Sequence, residues 1–145
     1  MDLSPYELLG ISFSFELDIL EIFQLFKAQK VSPLAAERAE DFPLVFSGGP
    51  VPMTNPEPYA PFFDFFLIGE GEELLNEVIE CYHRSRHLKT KAERLFALAK
   101  EVKGVYVPSL YEPEYESAEG PLLAIRPKQE AVSYTHLTLP TIYSV

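Results

Sequence analysis

The chain has 145 residues, 47% of them hydrophobic and 13% aromatic, a composition that supports a folded core rather than disorder. Twelve basic and 22 acidic residues give a net charge of -10, which argues against direct binding to nucleic acid or to an anionic membrane surface. A single cysteine excludes a disulfide framework and cannot alone hold a metal cluster. Residues 1–5 do not resemble a signal peptide, and no apolar run has the length of a membrane span. We therefore expect a cytoplasmic protein.

The first predicted elements are a strand and a helix. Residues 6–13 form an apolar run without helical spacing, which is typical of a parallel strand covered on both faces. Residues 16–27 change to helical spacing. The residues predicted on the buried face of this helix are Leu17, Leu20, Phe23, Leu25 and Phe26.

Two further strands are predicted at residues 43–47 and 64–68, and glycines follow each of them. The segment between them contains Asn55-Pro56-Glu57-Pro58, which indicates a stiff, proline-braced connection. After Gly71 a second helix is predicted. Its predicted buried positions are Leu74, Leu75, Val78, Ile79 and Tyr82.

The last predicted elements are a helix and a hairpin. Thr90 and Glu93 have the spacing of a capping box, and Gly104 ends the helix that they begin. The predicted packed stripe of this helix consists of Leu95, Leu98 and Val102. Residues 105–110 and 122–125 are predicted to pair as an antiparallel hairpin, with residues 112–120 as the connection.

Strands that alternate with helices predict an α/β fold with a parallel sheet and flanking helices, followed by the hairpin. Such sheets bind ligands outside the carboxyl ends of their strands. The turns at Gly48-Gly49 and at residues 69–71 should lie at that edge.

Gly48 and Gly49 would let a ligand approach the backbone closely, but spacing alone favours a tight turn, because a lone glycine pair is a weak motif. Ser12 and Ser14 follow the first strand, and either hydroxyl can meet a ligand or bond to the backbone. These four residues are the candidate cofactor-binding residues. No arrangement of nucleophile, base and orienting group is present, so we predict no catalytic residue.

Other polar residues have simpler explanations than a metal site. Glu70, Glu72 and Glu73 are expected to favour a helix N-terminus, and His83 and His87 to belong to a basic helix end. Cys81 is expected to be a small core residue. An Asp-x-His-x-x-Gly arrangement, which would bind cobalamin through its histidine, is absent from the sequence.

Four segments, LGISFSFELDILEIF, PLVFSGGP, NPEPYAPFFDFFLIGEGEE and GVYVPSLYEP, occur in this order between residues 6 and 128. Together they resemble the N-terminal region of radical SAM proteins that carry a cobalamin-binding-like domain before the catalytic barrel. The pairing of GGP with GEGEE across the intervening loop is the most specific part of the resemblance.

The resemblance implies a partial Rossmann-like (flavodoxin-like) domain over residues 1–103 and a linker or hairpin over residues 104–130. It implies that Gly48 and Gly49 lie near the cobalamin tail and that Ser12 or Ser14 takes the serine position of the family. It also implies that the parent protein uses a 4Fe-4S cluster and S-adenosylmethionine, and that this domain either holds cobalamin as a further cofactor or keeps the same shape as a structural cover. Their chemistry would belong to a following radical SAM domain, which is the expected partner, because the C-x-x-x-C-x-x-C loop is absent here.

Members of that family begin with further strand and helix units, so the chain is expected to start inside the domain and to expose a strand edge. Residues 131–145 are interpreted as an artefact, because VSYTHLTLPT matches the translation of a sequencing adapter. The sequence thus predicts a non-catalytic fragment of a radical SAM protein. The alternatives are a stand-alone flavodoxin-like binding module and an interaction scaffold.

Overall fold

The main sheet contains four strands in the order β1-β2-β3-β4. The computed structural model describes residue 3 and residues 5–118 and 120–128. The strands are β1 (Leu8–Ser12), β2 (Leu44–Gly48), β3 (Phe65–Leu67) and β4 (Val105–Tyr106). The first three are parallel, and β4 is antiparallel to β3. The carboxyl ends of β1, β2 and β3 therefore meet at one edge of the sheet.

Helices cover both faces of this sheet. They are α1 (Asp18–Ala28), α2 (Pro50–Thr54), α3 (Gly71–Arg84) and α4 (Lys91–Glu101), and a 3-10 turn at Glu57–Phe62 follows α2. One core contains residues of α3 and α4, and the other contains residues of α1 and α2. The predicted α/β fold with a parallel sheet and flanking helices is confirmed. No helix in the described part of the chain is long and apolar enough to span a membrane.

Strand β1 differs from the prediction that both of its faces are covered. Leu8, Leu9 and Ile11 are half-buried, and Gly10 and Ser12 are exposed. The reason is position, because β1 lies at the edge of the sheet. The apolar run correctly indicated a strand and overestimated its burial.

The predicted helices are present, but two of them bury fewer side chains than expected. In α1, Ile22 and Phe26 point into the core, while Leu17 and Leu20 are 76% and 57% exposed. In α3, the predicted positions Leu74, Val78 and Tyr82 are buried, together with Cys81. Leu75 and Ile79 are each 38% exposed, so the structure corrects their predicted burial.

Helix α4 begins as its sequence predicts. The Thr90 hydroxyl accepts a hydrogen bond from the Glu93 backbone N–H at 3.2 Å, and the Glu93 carboxylate accepts one from the Thr90 N–H at 3.0 Å. This reciprocal capping box satisfies two of the free N–H groups at the helix start. The predicted stripe is also confirmed, since Leu95, Leu98 and Val102 are buried.

The hairpin is present with a different first strand. It consists of β5 (Tyr111–Tyr115) and β6 (Leu122–Pro127), and residues 105–110 do not pair with β6. Val105 and Tyr106 instead form β4 and complete the main sheet beside β3. Burial explains the difference, because β4 and Val107 belong to the core while β5 is mostly exposed.

Candidate functional site

A cleft of about 570 Å³ lies at the carboxyl ends of β1, β2 and β3. We call it the glycine cleft, because five of its twelve lining residues are glycines. Its lining consists of Gly10, Ile11, Ser12, Phe46, Gly48, Gly49, Met53, Leu67, Gly69, Gly71, Glu72 and Leu75. Ligands of open α/β sheets bind at this edge, so the cleft is the candidate site.

Three of the four predicted cofactor-binding residues line the glycine cleft. Ser12 at the end of β1 lies opposite Gly48 in the parallel register with β2, and Gly49 follows Gly48 directly. Ser14 is not part of the lining. Its backbone N–H donates a hydrogen bond to Asp18 Oδ2 at 3.3 Å, which ties it to the start of α1.

The Gly48-Gly49 turn is shaped by the protein's own backbone. Gly49 has a φ of 117°, and a Cβ atom there would lie 2.8 Å from the Phe13 carbonyl oxygen. The Phe13 N–H also donates to the Gly48 carbonyl oxygen at 2.9 Å. Gly49 is therefore required by the turn itself, and the same turn forms one border of the glycine cleft.

The second glycine turn leaves more room. Gly69 has a φ of 144°, and a Cβ atom added at Gly71 would meet no atom within 4 Å. Gly71 is the first residue of α3, where other side chains would also be tolerated sterically. The bare backbone at Gly71 therefore keeps the cleft open and is not needed for packing.

The apolar wall of the cleft is built around Phe46. Its ring stacks on Phe65 with a centroid distance of 4.9 Å and an interplanar angle of 10°. A Cβ atom at Gly10 would lie 2.6 Å from Phe46 Cζ, so the ring can cover β1 only because residue 10 has no side chain. Met53 and Leu75 remain 46% and 38% exposed at the border of the cleft.

The cleft has little charge. Glu72 is the one charged residue in its lining. Glu70 and Glu73 line a neighbouring surface cleft with Glu77 and Glu101. Among the described residues, no group of three or more His, Cys, Asp or Glu side chains is placed to hold a metal ion.

The remaining polar residues singled out in the sequence lie away from the glycine cleft. His83 is exposed near the C-terminal end of α3, and His87 Nδ1 lies 2.9 Å from the Arg84 carbonyl oxygen. The Cys81 thiol is buried and lies 3.7 Å from Glu101 Oε2. Burial, followed by the nearby Glu101 carboxylate, raises the pKa of Cys81 to about 11.

Sequence reasoning missed a buried ion pair at the opposite edge of the sheet. Arg38 Nη2 donates to Asp64 Oδ2 at 3.1 Å, and the Arg38 guanidinium also donates to the carbonyl oxygens of Pro33 and Phe62. The same Asp64 oxygen accepts the Val45 N–H at 2.7 Å. A charged residue inside the apolar run FFDFF was the available signal, because a buried carboxylate requires a partner.

Sequence reasoning also missed the contact of Glu57 with Tyr106. The Tyr106 hydroxyl donates to Glu57 Oε1, which links the proline-braced segment to β4. Burial raises the pKa of Glu57, and the hydrogen bond from Tyr106 acts in the opposite direction. The Glu57 N–H donates to Asn55 Oδ1 at 3.1 Å, a local hydrogen bond within the same segment.

Comparisons with known proteins identify the family. A family model described as radical SAM proteins, N-terminal, matches residues 1–108 of the 145 residues. No curated protein and no solved structure matched the chain. The matched region contains the whole main sheet, the four helices and the glycine cleft. The chain therefore belongs to the family of N-terminal domains of radical SAM proteins.

Proposed function

We propose that this chain is the cofactor-holding N-terminal domain of a radical SAM protein and catalyses no reaction alone. One observation carries the proposal: the glycine cleft lies at the carboxyl ends of three parallel strands, where open α/β sheets bind ligands. Its volume of about 570 Å³ is that of an ordinary small-molecule site.

The residues of this chain do not fit a 4Fe-4S cluster. Such clusters are held by several cysteine thiolates, and Cys81 is the single cysteine of the sequence. Its thiol is buried, and burial raises its pKa, so thiolate formation is disfavoured. We therefore assign the cluster and S-adenosylmethionine to a radical SAM domain that is the partner of this chain.

The residues of the glycine cleft do fit a flat, largely uncharged ligand such as the corrin of cobalamin. Phe46 and Leu67 supply apolar surface, and the bare backbone of Gly48 and Gly71 allows a ring edge to approach closely. The Ser12 hydroxyl can donate to or accept from a peripheral amide. When bound, cobalamin supplies a cobalt atom for radical or group-transfer chemistry. No histidine lines the cleft, so these residues would hold the ring by its edge and tail.

A stand-alone flavin or nucleotide module is the second candidate, and charge disfavours it. A phosphate group would require positive charge or free N–H donors, and the lining contains no basic side chain. Helix α2 has only five residues, and the first turn of α3 carries Glu72 and Glu73. These carboxylates already interact with the positive end of the α3 dipole.

We also propose that the border of the cleft contacts the radical SAM domain. Phe15 and Leu17, which follow β1, are 70% and 76% exposed, and Met53 is 46% exposed. All three follow strands whose carboxyl ends border the cleft. Exposed apolar residues grouped around a binding site are typical of an interaction surface. A domain seated there would cover both the ligand and these side chains.

The proposal includes the interpretation of residues 131–145 as an adapter translation; they lie outside the described residues. Sequencing the genomic region beyond Lys128 tests the adapter interpretation. It also tests whether a radical SAM domain follows in the same gene. A C-x-x-x-C-x-x-C loop downstream would support the proposal. A stop codon directly after the domain would instead favour the stand-alone module.

Ligand binding can be measured on the full chain. We expect hydroxocobalamin to change its absorption spectrum when titrated with the protein, and we expect flavin mononucleotide to bind more weakly. Gly71→Phe should abolish cobalamin binding, because the new ring would enter open space in the cleft. Ala28→Phe places the same ring on an exposed position of α1 and is the matched control.

Two results would contradict the ligand assignment. One is flavin binding that is tighter than cobalamin binding. The other is cobalamin binding that survives Gly71→Phe while the variant keeps the circular dichroism spectrum of the parent chain.

A further inference from the structure

The turn between β1 and α1 directs two consecutive backbone N–H groups at one carboxylate. The Ser14 N–H donates to Asp18 Oδ2 at 3.3 Å, and the Phe15 N–H donates to the same oxygen at 3.0 Å. The Asp18 N–H also donates to the Phe15 carbonyl oxygen at 3.0 Å. Asp18 is the first residue of α1, so its side chain reaches back over the turn that precedes its own helix. The chain therefore closes this turn with a negative charge of its own.

This turn lies beside the glycine cleft. It starts after Ser12, which ends β1 and lines the cleft opposite Gly48. The next residue, Phe13, donates its N–H to the Gly48 carbonyl oxygen at 2.9 Å. In open α/β sheets such a strand-to-helix turn is the usual phosphate position, because its N–H groups and the helix dipole favour an anion. In this chain the Asp18 carboxylate already occupies those N–H groups.

The turns after β2 and β3 offer no substitute for a phosphate. Helix α2 has Pro50 and Pro52 at its first and third positions, and proline has no N–H group. The Val51 N–H between them donates to the Phe13 carbonyl oxygen at 3.3 Å. The first turn of α3 carries two glutamates, whose charge repels an anion. Of the three turns, only the one closed by Asp18 has N–H groups that a single substitution would free.

We propose that Asp18 determines the specificity of the glycine cleft by excluding ligands with a terminal phosphate, such as flavin mononucleotides and nucleotides. This inference rests on the proposed function only in taking the glycine cleft as the ligand site. The cleft then selects a ligand that is uncharged where it meets the end of β1.

The exclusion follows from competition for the same donors. A phosphate oxygen that accepted the Ser14 and Phe15 N–H groups would have to displace Asp18 Oδ2. It would also lie next to the displaced carboxylate, and two close anions repel each other. Both N–H groups belong to the backbone, so they remain in place when Asp18 is replaced. Removing this one side chain should therefore make the turn accept an anion.

Riboflavin and flavin mononucleotide provide the test, because they share one ring system and differ in a terminal phosphate. In fluorescence titrations the unmodified chain should bind the mononucleotide no more tightly than riboflavin. Asp18→Ala should raise the affinity for the mononucleotide relative to riboflavin at least about 10-fold, because hydrogen bonds to a charged acceptor are strong. Glu21→Ala is the matched control. It removes the same charge from the first turn of α1 and leaves both N–H groups paired with Asp18, so it should not change the ratio.

Inorganic phosphate gives a readout that does not require a flavin. Compared with chloride at equal ionic strength, phosphate should raise the Tm of Asp18→Ala and leave that of the unmodified chain and of Glu21→Ala unchanged. In nuclear magnetic resonance spectra of the unmodified chain, the amide signals of Ser14 and Phe15 should not shift when phosphate is added.

Three results would overturn the proposal. They are a shift of these two amide signals in the unmodified chain, equal gains in Asp18→Ala and Glu21→Ala, and a folded Asp18→Ala that gains affinity for neither probe. None of these measurements uses cobalamin. A failure of cobalamin to bind would therefore contradict the proposed ligand without deciding the role of Asp18.

Discussion

The guanidinium of Arg38 and the carboxylate of Asp64 form a buried ion pair with an Nη2–Oδ2 distance of 3.1 Å. Asp64 immediately precedes β3, so the pair lies at the edge of the sheet opposite the glycine cleft. The guanidinium carbon of Arg38 also lies 5.1 Å from the centre of the Phe26 ring. The pair therefore connects the start of β3 to the loop before β2 and to α1.

Breaking this pair should destabilise the fold strongly. Arg38→Met is expected to lower the free energy of unfolding by about 3–5 kcal/mol, because it leaves the Asp64 carboxylate buried without its cation. Arg126→Met is the control, since the Arg126–Glu114 pair has side chains that are 72% and 48% exposed. It should cost less than about 1 kcal/mol. Urea denaturation of both variants checks the prediction, and equal losses would contradict it.

The Glu57 carboxyl group should make stability depend on pH. Burial raises the pKa of Glu57 in the folded chain. The folded state then binds the proton more tightly than the unfolded state, so this group's contribution to stability is complete below the ordinary glutamate pKa. This contribution declines as the pH rises through the raised pKa of Glu57 in the folded chain.

Glu57→Gln should remove this decline, which begins above the ordinary glutamate pKa. The measurement is the free energy of unfolding as a function of pH for both proteins. The exposed Glu112 provides the control variant, Glu112→Gln. Parallel curves for the chain and for Glu57→Gln would show that Glu57 does not carry the effect.

The two glycine turns should respond differently to alanine. Gly49→Ala is expected to cost about 1–3 kcal/mol, because φ is 117° and the new Cβ would meet the Phe13 carbonyl oxygen. Gly71→Ala should be neutral or stabilising by up to about 1 kcal/mol, since residue 71 is helical and its Cβ would point into open space. Thermal and urea unfolding of the two variants give the comparison. If Gly71→Ala lowered the free energy of unfolding as much as Gly49→Ala, glycine would be required at both turns, which would contradict the prediction.

Cys81 should be unreactive while the chain is folded. Its side chain is 1% exposed, and burial raises its thiol pKa to about 11, so little thiolate is present at neutral pH. Iodoacetamide labelling followed by mass spectrometry should show slow modification in buffer and rapid modification in denaturant. Fast labelling of the native chain would indicate that α3 opens at this position.

Local features were predictable from the sequence because they depend on neighbours along the chain. The capping box needs only Thr90 and Glu93, which are three positions apart. Gly71 is followed, within one helical turn, by apolar residues at helical spacing, which predicts the start of α3. The position of the candidate site at one edge of the sheet was also predictable from local sequence. Glycines after apolar runs indicated turns at the carboxyl edge of a parallel sheet, and Ser12, Gly48 and Gly49 share one cleft there.

Contacts between distant residues were not predictable in this way. The pairing of Val105 and Tyr106 with β3 depends on which apolar segment completes the core, and a nearer hairpin partner fitted the local pattern equally well. Arg38 and Asp64 lie 26 positions apart, so no spacing rule connects them. Leu75 and Ile79 have the helical spacing of buried positions but are each 38% exposed, because this spacing does not show how much of an apolar helix face meets the sheet.

The amino-acid sequence by itself determined the class of fold, the starts of its main helices and the glycine turns, since these follow from backbone geometry and short-range hydrogen bonds. Only the tertiary structure decided which strands pair, which side chains are buried and which turns share a cleft. Those outcomes depend on packing between segments that are far apart in the chain, and apolar periodicity carries no information about which segment packs against which.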